Sequence, residues 1–231
     1  MLLQIDISFN LTNMHIVTMS IAHPFLENRK NRTPTILLGV VMLTQRTTTA
    51  SISVLAEYIH QALKDIGVDV EAANWSFDFV TDGEVALYKA FQRTFKHSKH
   101  TLCVKHLRGN IERFLNDLPV KIDAPKKRKL MNGIFGSMLD DVEGVRFYIP
   151  ALIDAVSEED YLVKWVEYAR DIEVPQFAEW FKKNHEKDFL AKLIYPRRES
   201  MGLCRDLPHS NYVEAMNKML KAVCGKYNDV R

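Results

Sequence analysis

Two acidic residues, far apart along a chain of 231 residues, stand where a carboxylate could do chemistry. Asp82 closes an alternating run, Phe77-Asp78-Phe79-Val80-Thr81. Gly83 comes next, and then an amphipathic stretch in which Leu87, Ala90, Phe91 and Phe95 recur at helical spacing. The pattern reads as strand, sharp turn and helix. A carboxylate at the carboxyl end of a strand in an open α/β sheet sits at the mouth of the crevice where such folds bind ligands. A structural role competes with this one: Thr81 and Glu84 have capping-box spacing, and an acid in the first turn of a helix is favoured by the helix dipole. Asp6 lies inside the first β-like run. Glu214 falls on a carboxyl-terminal helix whose apolar face is Val213, Met216, Leu220 and Val223, while Asn211, Glu214, Lys218 and Lys221 share another face. The simple alternative for Glu214 is a surface pair with Lys218, worth a few tenths of a kcal/mol.

The elements that must position these acids follow from periodicity. Residues 2–12 and 14–23 form a hairpin around Asn13, and after a polar loop closed by Pro34 the nearly continuous apolar run 35–44 gives a third strand suited to cover on both faces. Ile52, Leu55, Ala56, Ile59, Leu63 and Ile66 mark a helix that ends at Gly67. Residues 100–104 give a fifth strand, and Leu107, Ile111, Phe114, Leu115 and Leu118 another helix. The order is βββαβαβα. A right-handed crossover after the third strand sets the fourth parallel to the first and beside it. Asp6 and Asp82 then converge on one end of the sheet, on adjacent strands. Two carboxylates so placed repel each other, and a divalent cation with oxygen ligands is the usual counter-charge.

Beyond Pro119 the pattern becomes helical throughout. Leu130, Ile134 and Met138 lie on one stripe, Tyr161, Leu162, Trp165, Val166 and Ala169 on another, and Phe177, Trp180, Phe181, Phe189 and Leu193 continue the series. The expected organisation is an α/β core made of residues 1–118 and 209–231, with an all-helical insertion over 119–208 carrying its own aromatic core.

Composition sets the outer limits. A hydrophobic fraction of 47% and a formal net charge of +2 are those of an ordinary globular chain. The longest apolar run is too short to span a bilayer and no signal peptide is evident, so no membrane association and an intracellular location are expected. Three cysteines, Cys103, Cys204 and Cys224, make no disulfide framework and agree with a reducing compartment.

Several local patterns also coincide in order with those of a known family. Asp6-Ile7-Ser8-Phe9-Asn10 resembles the opening strand of Mutator-like element transposases, and Thr81-Asp82-Gly83-Glu84 with Ala86, Leu87 and Phe91 resembles their second acidic motif. Leu102-Cys103-Val104-Lys105-His106-Leu107, with Asn110, matches the family's Cys-x-x-His motif. Ser210-Asn211-Tyr212-Val213-Glu214-Ala215-Met216-Asn217 is similar to the helix that carries the third acid. The resemblance spans nearly the whole chain. It implies a ribonuclease-H-like mixed five-stranded sheet flanked by helices, with Asp6, Asp82 and Glu214 as catalytic and metal-binding acids of the Asp-Asp-Glu class. It further implies two Mg²⁺ or Mn²⁺ ions, DNA as partner and substrate, cleavage and strand transfer by in-line attack on a phosphodiester, and a homodimer or higher oligomer. Ala215 departs from the family's small hydroxyl residue beside the acid. Zinc-binding modules that commonly flank the core are not recognised in this chain, which is therefore expected to be a fragment or a domesticated element. A catalytically inactive DNA- or protein-binding remnant, and a structure-specific nuclease on the same fold, are the competing readings.

Secondary features carry bland alternatives as well. Cys103 and His106 are two ligands where a zinc site needs four; Cys204 and His209 would complete a Cys₂His₂ set, but the pair is expected to brace the helix that carries Glu214. Pro125-Lys126-Lys127-Arg128-Lys129-Leu130 has the form of a nuclear-import signal, which points to the nucleus, and with Lys218 and Lys221 offers phosphate contacts; a solvated helix face is the alternative. Trp165 and Trp180 fit an insertion core better than stacking on unpaired bases.

Overall fold

Alternation of side chains along two central strands decides the architecture. The computed structural model describes residues 2–11, 14–27, 34–72, 75–76, 78–140, 144, 146–172, 174–203, 207–208, 214, 216–220 and 222. The chain divides into two compact units, one of Met1–Cys103 with Pro208–Arg231 and one of Val104–Leu207.

In the first unit, β1 (Leu2–Leu11), β2 (Met14–Glu27), β3 (Pro34–Thr44), β4 (Asp78–Thr81) and β5 (His100–Leu102) form a mixed sheet in the order β3-β2-β1-β4-β5. β2 runs antiparallel to both β1 and β3, and β4 runs parallel to both β1 and β5. Leu3, Ile5 and Ile7 of β1, Val17 and Met19 of β2 and Phe79 of β4 point to one face. There they pack with Ile52, Leu55, Ala56 and Ile59 of α1 (Thr49–Asp65), with Leu87, Ala90 and Phe91 of α2 (Val85–Thr94), and with Phe95. Residues of opposite parity, Gln4, Asp6 and Ser8 on β1 and Thr18 and Ser20 on β2, belong to the other face and are buried too. The sheet therefore has one oily buried face and one largely polar buried face, on which Ile16 and Val80 also lie.

The crossovers are stopped by specific residues. Thr48 caps α1 reciprocally with Ser51: Ser51 N–H donates to Thr48 Oγ1 at 3.2 Å and Thr48 N–H to Ser51 Oγ at 3.0 Å. Gly67, at φ +83°, closes its far end. The order of elements matches the periodicity of the sequence through α3 (Val104–Asp117). One strand differs in its environment. β3 is the sheet's edge, not a strand covered on both faces: Leu37, Leu38, Val41 and Leu43 are exposed.

The second unit contains α3, α4 (Ala124–Phe135), β6 (Ser137–Asp140), β7 (Arg146–Ile149), a 3₁₀ turn (Leu152–Asp154), α5 (Glu158–Asp171), α6 (Pro175–Phe181), a π turn (Lys182–Glu186), α7 (Lys187–Lys192) and α8 (Tyr195–Glu199). α3, which the sequence set with the sheet, is grouped here with the helices. Its Phe114 stacks on Trp180 at 4.3 Å and lies 6.3 Å from Phe177.

The expectation of an all-helical insertion is corrected by the antiparallel hairpin of β6 and β7. Gly136, at φ +76°, ends α4 before Met138 can extend its stripe, and the space where a Cβ would stand is filled by the Tyr148 hydroxyl. Beyond it, Phe147-Tyr148-Ile149 has the aromatic and β-branched character of a strand. A second correction concerns α5. Tyr161 and Trp165 are buried at a spacing of four, whereas Leu162 and Val166 are exposed, because each lies about 100° round the helix from the buried stripe.

A polar knot holds this unit together. Arg198 is fully buried; its Nη2 donates to Asp154 Oδ1 at 2.8 Å and to Ile153 O at 3.0 Å, and its Nε donates to Leu193 O at 3.0 Å. The Tyr148 hydroxyl donates to Asp154 Oδ2 at 2.6 Å, and burial with this bond raises the phenol's pKa. Replacing one partner of a buried pair leaves an uncompensated charge. Asp154→Ala is expected to lower the unfolding free energy by about 3–5 kcal/mol in urea titrations; a loss below about 1 kcal/mol would show the knot to be incidental.

Candidate active site

Asp6 sits in the central strand, between Ile5 and Ile7 of the apolar face, and its Cα partner across the antiparallel ladder is Thr18. It is only 7% exposed, a costly place for a carboxylate without hydrogen bonds. The helical residues 216–220 supply one. Asn217 Nδ2 donates to Asp6 Oδ2 at 2.9 Å, while the hydroxyl of Thr18 donates to Asn217 Oδ1 at 2.6 Å.

Asp82 is placed by the parallel ladder between β1 and β4. Leu2 pairs with Asp78, Leu3 with Phe79 and Gln4 with Val80, so the same offset carried two residues further sets 82 opposite 6. The chain leaves the strand after Thr81 and bends at Asp82. Gly83 takes φ +96°, a conformation that suits glycine. Asp82 Oδ1 accepts from Glu84 N–H at 2.9 Å, and Thr81 Oγ1 accepts from Gly83 N–H at 3.2 Å. The capping box considered for Thr81 and Glu84 does not form. Thr81 belongs to the strand, its hydroxyl hydrogen-bonds His100 Nε2 at 2.9 Å, and Glu84 itself is the N-cap of α2 without a side-chain cap bond. The turn instead uses the Asp82 carboxylate. His100, which the sequence reading passed over, packs between Phe79 and Tyr88 with ring centroids 5.1 Å away on each side.

Glu214 is helical and half-buried. A carboxylate oxygen of Glu214 and the Sγ of the buried Cys103 lie within 4.8 Å of each other. Among the described residues, Asp6, Asp82 and Glu214 do not form a group with all three ligand atoms within that distance. The structure thus brings Asp6 and the line of Asp82 to one end of adjacent strands, and it brings the Glu214 helix onto Asp6 through Asn217. Their donors are all carboxylate oxygens, a hard set of the kind Mg²⁺ and Mn²⁺ take. His106 is half-buried in the first turn of α3. Cys204, His209, Ser210, Asn211 and Lys221 lie outside the described residues.

The basic run opens α4 in the second unit. Asp123 caps that helix by accepting from Lys126 N–H at 2.8 Å, Lys127 Nζ donates to Asn116 Oδ1, and Arg128 and Lys129 are exposed. Lys218 is exposed in the first unit. Trp165 is buried, and Trp180 is covered by Phe114 on one side and His185 at 4.6 Å on another, so both rings are engaged inside the second unit. No helix among the described residues is long and apolar enough to cross a membrane. No protein-family model matches the chain, and neither does any curated protein.

Thr18 went unread because a threonine within a β-rich run looks like strand propensity alone; its one signal is that Thr18 and Ser20 interrupt the apolar run 16–22 two residues apart, on one face of the strand. The turn role of Asp82 is separable from metal binding. Asp82→Asn keeps an acceptor for Glu84 N–H and is expected to melt within a degree or two of the parent, whereas Asp82→Ala loses the acceptor and about 0.5–2 kcal/mol of stability. Equal loss in both variants would mean that the charge, not the turn, matters to folding.

Proposed function

We propose that this chain is the catalytic core of a DNA transposase of the Asp-Asp-Glu class, with a ribonuclease-H-like sheet and with Asp6, Asp82 and Glu214 as the acids that hold divalent metal. The observation that carries the reading is the parallel ladder of β1 and β4, which directs two carboxylates toward one end of a mixed sheet of order β3-β2-β1-β4-β5. That strand order is consistent with the ribonuclease-H-like topology. The resemblance of the Asp82, Cys103-His106 and Glu214 segments to Mutator-like element transposases adds the substrate, DNA, and the nucleus as its place of action. Bound Mg²⁺ or Mn²⁺ would supply an activated water or 3′-hydroxyl and charge neutralisation at the leaving oxygen. The residues' own part is to present negative oxygens, one from β1, one from the turn that follows β4 and one from the helix tied to β1. Lys126, Lys127, Arg128, Lys129, Lys218 and Lys221 are the cations offered to the phosphate backbone, and such contacts weaken steeply with salt.

A second reading is an inactive remnant that binds DNA or protein. It is favoured by the position of Glu214, whose carboxylate oxygen lies within 4.8 Å of the Cys103 sulfur, while among the described residues the three acids form no group with all ligand atoms within that distance. Supercoiled plasmid separates the two. In Mn²⁺ the parent chain is expected to nick it, Asp82→Asn and Glu214→Gln to fall to the metal-free level, and Glu199→Gln to nick like the parent, since Glu199 is engaged with the Tyr195 hydroxyl at 3.2 Å in the second unit. Nicking that survives in Asp82→Asn and Glu214→Gln would overturn the assignment. A parent that neither nicks nor gives heat with Mn²⁺ on calorimetric titration would favour the remnant.

A further inference from the structure

Thr18 and Asn217 are buried on the polar face and are not among the three acids assigned to the metal. We infer that they are positioning residues that register the Glu214 helix against Asp6, an inference that rests on the metal-binding reading of those acids.

The polarity of the contact is self-consistent in only one direction. A carboxylate accepts and cannot donate, so the Asn217 atom facing Asp6 must be Nδ2; Oδ1 then faces Thr18, whose hydroxyl donates. A flipped amide would set oxygen against oxygen at Asp6. All three groups are buried, Thr18 at 0%, Asn217 at 4% and Asp6 at 7% exposure, so water does not substitute for a lost bond. Thr18 and Asp6 face each other across β1 and β2, which makes a fixed two-pronged receptor for one amide.

The consequence for Glu214 is geometric. It precedes Asn217 by three residues, just under one helical turn, and so projects from nearly the same face of the helix. Sliding the helix by one residue turns that face by about 100° and breaks both bonds. One amide thereby fixes the rotation and the height at which Glu214 meets the sheet. Outer partners that orient metal ligands carry about a 10–100-fold effect on metal affinity.

Mn²⁺ affinity of the full chain, read from the electron paramagnetic resonance signal of the free ion, tests this. Thr18→Val, which keeps the shape and removes the hydroxyl, is expected to weaken Mn²⁺ binding about tenfold or more, and Thr18→Ser, which restores the donor, to return within about twofold of the parent. The Asn217 side-chain amide protons should exchange slowly in the parent and in Thr18→Ser, and fast in Thr18→Val. Should Thr18→Val fail to fold, Asn217→Gln, which keeps the amide but shifts it by a methylene, carries the same expectation for Mn²⁺. Parent-like affinity in the folded variants, or equal amide exchange in all of them, overturns the inference. A parent that binds no Mn²⁺ would sink the metal-binding reading instead, and the exchange measurement alone would then decide whether the helix is clamped.

Discussion

A buried carboxylate in the middle strand of a sheet is the constraint on which the first unit depends. β1 is hydrogen-bonded on both sides, by β2 and β4, and covered on both faces, so Asp6 has little recourse to solvent. One face of the strand meets this through ordinary apolar packing of Leu3, Ile5 and Ile7. The other hides polar groups that need partners, and the Asn217 amide is one that the chain provides at Asp6. Among the described residues the neighbouring Ser20 hydroxyl finds no hydrogen-bond partner, a sign of how closely the polar face is rationed. A fold built only for stability would place Val or Ile at position 6, since replacing buried ionic groups by well-packed apolar ones is often neutral or favourable. Under the metal-binding role proposed for Asp6, the acid there is kept for function at a cost in stability.

The second unit solves the same problem by a different route. Asp154 gathers an arginine, a tyrosine hydroxyl and the backbone N–H of Ala151 around one carboxylate, joining α8, the β6–β7 hairpin and the 3₁₀ turn. Around it the aromatic side chains of α3, α5, α6 and α7 fill the interior by tilted and stacked contacts. The hairpin, α8 and the 3₁₀ turn thus meet at one charged centre, beside a buried aromatic and aliphatic interior.

Much of this was readable from residue order. Alternation in 2–12 and the Asp82-Gly83 turn, combined with the handedness of crossovers, lead to the observed neighbours of β1 and to the end of the sheet where Asp6 and Asp82 belong. What escaped has physical reasons. Gln4, Asp6 and Ser8 alternate as they would on a solvated strand, and only long-range cover makes that face an interior. The run 35–44 is apolar enough for a central strand, yet its place at the edge is set by which strands the crossovers put beside β1. Leu162 and Val166 match a helical stripe as well as their buried neighbours do, because a pattern shows which residues are apolar and not which face meets a partner. Met138 followed Ile134 at helical spacing, and the break came from Gly136, whose positive φ is a backbone event with a weak sequence signal.

The bond between Asp6 and Asn217 joins residues 211 positions apart. Sheet and crossover helices come from the first 103 residues, so their local pairings can assemble while the ribosome is still making the rest. The cover for the polar face comes last. Loop-closure entropy grows only with the logarithm of length, and a second unit folded on its own leaves few free links between residue 103 and residue 208. Closure is therefore late in time but modest in cost. Until residue 217 has emerged, the nascent sheet shows a wet polar face and an uncharged edge strand together, and that interval is when the chain is most open to pairing with a neighbour.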